Sequence, residues 1–314
     1  VKKIFLIFLF FIVSLNAESS VFQSVIKNVA LKDTQSAINS AKKLQENINS
    51  ANFTEFLQDW KRVEANYLAG EINSDYLDTP RYIDVFNNLK EDLNSQMQRV
   101  IDSQTDVKKA LFKNSFKTVN ALEYVIFSSK ELDSRKKEIV KEILSSIISK
   151  LEEIKEVYET YLKSGVPNEL EDNAKLINTL VASSYRLKEW RIGNPAGLSS
   201  KYKNDAKNSR AEYFLSQNSF LAIDAILDAQ KEMIANQNYI NLLNLAKNKN
   251  AVSDLEAVVL KIDEAKKELK GLPQDDFTNA KKLFDLSAQI HDLYYITIIE
   301  KLGLKPEILD ADGD

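Results

Sequence analysis

EIVKEILSSIISKLEEIKEVYETYLK, residues 138–163, decides the fold. Its apolar positions Ile139, Ile143, Leu144, Ile147, Ile148, Leu151, Ile154, Val157, Tyr158 and Tyr161 recur at three- and four-residue steps. With about 3.6 residues per helical turn that spacing draws one stripe along a cylinder, which the two-residue alternation of a strand cannot do. The remaining positions are rich in lysine and glutamate, so the segment is an amphipathic helix that needs an apolar partner surface.

The same reading extends to the rest of the chain. Six of the seven glycines and all five prolines are grouped at Gly70 and Pro80, Gly165 and Pro167, Gly193 to Gly197, Gly271 and Pro273, and Gly303 and Pro306. Both residues break helices, so these groups separate long helical stretches. Helices are predicted near 20–49, 54–69, 81–101, 105–128, 131–163, 169–191, 205–247, 251–270 and 275–302, with no alternating strand pattern. The fold class is therefore all-α. Short connections favour antiparallel neighbours, and the break at SGVPNELEDN (164–173) divides the chain into two helical-bundle domains, 18–165 and 166–314. NSFKTVNALE at 114–123 is echoed by NSFLAIDAIL at 218–227, a local similarity between the halves.

VKKIFLIFLFFIVSLNA, residues 1–17, has two lysines, an apolar run from Ile4 to Val13 and a small residue at its end. The run is too short to span a bilayer and reads as a secretory signal peptide, which predicts export to the periplasm with no later membrane span. Cysteine is absent, which excludes disulfides, thiolate metal ligands and thiol nucleophiles. Cleavage after Ala17 changes 42 basic against 46 acidic residues to 40 against 46, a net charge of −6. That balance, with no basic patch, argues against a nucleic-acid partner.

Candidate chemistry begins at KTVNALEYVIF (117–127), where Asn120 and Glu123 share a helical face at i, i+3. That spacing suits paired metal ligands, yet the Asn carbonyl serves calcium or magnesium better than zinc or iron, and two ligands complete no coordination shell. The alternative is that Asn120 bonds a neighbouring helix while Glu123 pairs with a cation. His291, in AQIHDLYYI, is the only histidine and falls on the stripe of Phe284, Ile290, Tyr294 and Ile298. A single histidine rules out the paired-histidine helical zinc site. Asp310, Asp312 and Asp314 end the chain in an incomplete calcium-loop pattern. EWRIGNPAGLS (189–199) is read as a glycine-containing loop lining a cleft, with Arg191 as an anion contact, or as a helix stop with Trp190 in the core. NSRAEYFLSQNSF (208–220) supplies Arg210, Glu212, Ser216 and Ser219 as pocket-lining polarity.

These segments together resemble the imelysin-like proteins. KTVNALEYVIF is similar to their Gly-x-His-x-x-Glu segment, IGNPAGLS (192–199) to their Gly-x-Pro-x-Gly turn, and EKLGLKPEILDADGD (300–314) to their C-terminal ending. DWKRVEANYLAG (59–70), with Trp60 and Tyr67, fits their early helix, although Glu64 stands where arginine is expected. The resemblance runs from about Phe56 to Asp314. It implies an exported protein of two helical bundles with a site in the interdomain cleft, in a family described both as metallopeptidases and as iron-regulated envelope proteins. The motif falls on Thr118, Asn120 and Glu123, and only the glutamate matches. Replacing imidazole by carboxamide removes a strong transition-metal ligand.

The leading expectation is therefore a periplasmic protein that binds a small ligand or a metal, iron or another divalent ion, in a cleft with Glu123, Asn120, Thr118, Arg191 and Arg210. Envelope iron-uptake proteins are its expected partners, and peptide hydrolysis is not expected. The competing expectations are a metal-dependent peptidase in which His291 or the C-terminal aspartates replace the lost ligand, and a helical interaction module without a pocket.

Overall fold

The computed structural model describes residues 20–87, 91–247 and 249–305. The expected signal peptide and Asp310, Asp312 and Asp314 lie outside the described residues. Among the described residues, nine α-helices of nine or more residues carry the fold: α1 Leu31–Glu46, α2 Ser50–Ala65, α3 Leu93–Asp102, α4 Val119–Phe127, α5 Ser134–Ser164, α6 Glu169–Arg186, α7 Ser219–Ile234, α8 Val252–Gly271 and α9 Lys281–Asp292. No strand occurs among the described residues.

The diagnostic stripe becomes the inner face of α5. Ile139, Ile143, Leu144, Ile147, Leu151 and Ile154 are fully buried, and α5 packs against α1 and α4. Its start is fixed by Asp133, whose carboxylate accepts from the Lys136 N–H at 2.8 Å, and α2 is started in the same way by Asn49. α1 packs on α2, α2 on α7, α7 on α8, and α8 on α9, so buried apolar contacts run continuously from Phe22 to Leu302.

The chain departs from the expected helices where polar side chains take over backbone hydrogen bonds. The stretch 105–128 is broken: Asp106 caps a single turn at Val107–Ala110, and Thr118 starts α4 afresh by accepting from the Ala121 N–H at 3.4 Å. The stretch 81–101 stops after Ile83, where Asp84 turns extended and points inward. The stretch 205–247 stays irregular up to α7, held by Asn208, whose Oδ1 accepts from the Phe277 N–H at 3.0 Å. Conversely, the expected loop 189–199 is helical for most of its length, because α6 continues as a π-helix over Leu187–Gly193 and a short turn over Asn194–Ala196. The wider turn occurs where Arg191 is carried into the interior.

That run ends at Gly197, which has φ of +68°. A Cβ there would stand 2.5 Å from the Ala206 N and 2.7 Å from the Asp205 carbonyl carbon. Both the left-handed backbone and the close approach require glycine. Gly197→Ala is expected to cost about 2 kcal/mol or more in urea unfolding.

Candidate functional site

On α2 the residues Phe53, Phe56, Leu57 and Trp60 form a buried face, and Lys61, four positions after Leu57, is drawn in with them to zero exposure. Burial of an ammonium requires compensation. The Lys61 Nζ donates to Glu64 Oε2 at 2.7 Å, Asp84 Oδ2 at 2.8 Å and Glu212 Oε1 at 2.5 Å, and it also lies 5.0 Å from the Tyr213 ring centre. Arg191 reaches in from the π-helix, its Nη2 donating to Glu64 Oε1 at 2.6 Å and its Nε to Glu212 Oε2 at 2.9 Å. Asp84 also accepts from Trp60 Nε1 at 3.1 Å, Tyr213 Oη at 2.7 Å and the Phe86 N–H at 2.9 Å.

The electrostatics follow from that packing. Burial opposes the charge on Lys61, but Asp84, Glu212 and Glu64 overcome it and hold the ammonium above its ordinary range. Burial likewise opposes ionisation of Asp84, and Lys61 outweighs it, leaving this carboxyl well below the usual carboxylate range. For Glu64 burial is outweighed by Arg191 and Lys61.

Glu212 is shared with a cleft of about 530 Å³ that Asn120, Glu123 and Arg210 also line. Glu123 is 5% exposed, and both Ser216 donors, the N–H at 2.8 Å and the hydroxyl at 2.7 Å, fall on its Oε1. Its Oε2 has no hydrogen bond among the described residues. Burial pushes this carboxyl up to about 7, against the two Ser216 bonds, with Glu212 and Asp275 adding repulsion. A carboxyl that titrates near neutrality beside a cleft can donate or accept a proton or hydrogen bond there.

The other expected residues take distinct positions. Asn120 lines the cleft, but its Oδ1 already accepts from the Val85 N–H at 2.8 Å. Arg210 lines the cleft with its guanidinium bound to Asp205 and stacked 4.2 Å over the Tyr202 ring. Thr118 is fully buried and caps α4 instead of lining the cleft. Arg191 lies behind the cleft wall and contacts it through Glu212. His291 does not join them: its Nδ1 is 3.1 Å from Ser184 Oγ, its ring stacks on Tyr295, and it does not line the cleft. Burial holds this imidazole below its ordinary value, with Lys188 adding to the effect. The competing reading of His291 as a replacement ligand beside Glu123 gains no support from this placement, because α9 seats the ring against α6.

Sequence reasoning missed Lys61, Asp84 and Tyr213. A lysine in register with Phe53, Leu57 and Trp60, followed three positions later by Glu64, was the available signal for the first. Asp84 carried none, since its role depends on where the helix of Thr79–Ile83 ends. One oxygen each from Glu64, Asp84 and Glu212 lies within 4.8 Å of the others, close enough to hold a metal ion.

The family model described as Imelysin matches residues 26–297. Among solved structures, the chain is similar to an imelysin-like protein from Psychrobacter arcticum 273-4, with a TM-score of 0.70 and 15% identity over 92% of this chain and 93% of that one. It is also similar to a protein from Parabacteroides distasonis ATCC 8503 described as an iron-regulated protein A precursor, with a TM-score of 0.61 and 12% identity over 92% and 95% of the two chains. No curated protein matches. The two structural likenesses speak to the fold alone.

Proposed function

The chain belongs to the imelysin family, and from that premise we propose that it is an exported binding protein of the periplasm whose cleft at Glu123 and Asn120 holds a small ligand without hydrolysing peptides. The observation that carries this reading is the state of Glu123: buried, lining the cleft, and bound by Ser216 on one oxygen while the other has no hydrogen bond among the described residues. An interaction module without a pocket would have this carboxylate paired with lysine or arginine and the space beside Asn120 filled. Neither feature occurs among the described residues.

Peptidase chemistry would require a metal that lowers the pKa of bound water, usually on three protein ligands. The described cleft does not fit one. It contains no histidine, the carboxamide oxygen of Asn120 is engaged by backbone, and Glu123 is largely neutral below pH 7. The three-carboxylate group behind the wall has the proximity, but it surrounds the Lys61 ammonium. Envelope iron-uptake proteins as partners, the expectation drawn from the family resemblance, belong to the same proposal. No described helix is long and apolar enough to cross a membrane. The two-bundle division at 165 and 166 is part of the same proposal, with the cleft drawing Glu123 from one half and Arg210 and Glu212 from the other.

The test is native mass spectrometry on protein isolated from the envelope fraction, with elemental analysis of the same sample. Wild-type protein is expected to carry a small-molecule adduct that Glu123→Gln combined with Asn120→Leu loses, and to leave casein intact with or without added zinc. Chelator-sensitive cleavage of casein that disappears in Glu123→Gln would overturn the reading.

A further inference from the structure

Glu64, Asp84 and Glu212 each turn one oxygen toward a common point, and that point is taken. The Lys61 Nζ lies 2.7, 2.8 and 2.5 Å from the three oxygens, so each N–H of the ammonium has its own carboxylate. We propose that Lys61 is a tethered counter-cation that closes a three-carboxylate metal site: the position takes no free divalent ion while the ammonium is present, and takes one when it is removed.

Three features make the ammonium hard to displace. Lys61 is fully buried on α2, so its stem cannot swing to solvent without unpacking Trp60 and its neighbours. Asp84 Oδ2 also accepts from Trp60 and Tyr213, so an incoming metal would compete with three donors at that oxygen. Arg191 already neutralises part of the group through Glu64 and Glu212. Arg186 also acts on Glu64, so Lys61 is one of three cations facing the three carboxylates, and its loss leaves the common point between the three oxygens without a positive charge. Carboxylate oxygens bind a divalent ion at about 2.0–2.2 Å, so the described oxygens would close in only slightly around it.

The lysine-filled position lies behind the cleft wall, and its occupancy is independent of what the cleft holds. It does bear on ligand class, because Glu212 then presents to the cleft a carboxylate whose oxygens are already bonded to cations. A ligand there meets a neutralised hydrogen-bond acceptor, not an open metal ligand.

Manganese(II) and ethylammonium serve as probes on the full chain. In paramagnetic-resonance titrations Lys61→Ala is expected to bind one manganese ion at least about tenfold more tightly than wild type, and the gain should disappear when Asp84→Asn is added. Ethylammonium should raise the melting temperature of Lys61→Ala and leave that of wild type unchanged. Manganese-soaked wild-type crystals keep the test open even if Lys61→Ala does not fold: anomalous scattering should show no peak among the three carboxylates. A peak there, with Lys61 displaced, overturns the inference, as does a folded Lys61→Ala that responds to neither probe.

Discussion

Lys61→Met is expected to lower the free energy of unfolding by about 4 kcal/mol, the scale on which one partner of a buried ionic group is lost. Methionine keeps most of the stem that packs beside Trp60, so the cost comes from the missing ammonium and not from a cavity. Glu64, Asp84 and Glu212 would remain in the interior with Arg191 as their remaining direct cation. Surface pairs such as Lys42 with Glu152, each about half exposed, provide the contrast. Their removal should cost about 1 kcal/mol or less.

The pH dependence of the Lys61→Met deficit follows from Asp84. Its folded pKa is depressed, so in wild type it contributes stability above its unfolded value of 3.8 that is lost as pH falls. Without Lys61 most of that contribution is absent. The gap between wild type and Lys61→Met should therefore narrow in acid, and urea unfolding at pH 7 and pH 3 measures it. A deficit below about 1 kcal/mol at pH 7 would mean that the three carboxylates find other compensation.

Glu123→Gln is expected to do the opposite and stabilise the protein in mild alkali. The carboxyl has a folded pKa near 7 against an ordinary 4.5, so between those values the folded state binds more protons than the unfolded chain. Stability from this group is complete below pH 4.5, declines as pH rises through 7, and is flat beyond. The full difference is roughly 3 kcal/mol. Asp33, raised by burial to about 6, acts in the same direction over a lower window. Wild type should accordingly lose stability between pH 5 and pH 8, while Glu123→Gln loses much less. At pH 8 the variant should be the more stable of the two, even though it lacks the carboxyl proposed to hold the ligand. A destabilised Glu123→Gln at pH 8 would identify the charged carboxylate as a structural partner and remove the reason to place a ligand against it. Gain of stability with loss of binding is the expected mark of a group kept for function at a cost to the fold.

How legible these features were depends on the range of the interaction. Asn120 and Glu123 were singled out because helical spacing alone puts them on one face, whereas the cleft beside them was expected only from the family resemblance. Arg191 was singled out as an anion contact, and its partners are indeed carboxylates, but they are the protein's own. Lys61 went unnoticed because a lysine in a helix is ordinarily read as solvated, and its burial depends on Asp84 and Glu212 arriving from 23 and 151 positions away.

Local order therefore came from the sequence. Stripes at three- and four-residue steps, with glycine and proline between them, determine an all-α chain, because each helix is specified by residues within a turn or two of one another. The tertiary structure alone decided which of those helices break, which charge is buried, and that Glu123 titrates near neutrality. Those outcomes depend on desolvation and on partners far along the chain, and no local pattern encodes the distance at which two such groups will meet.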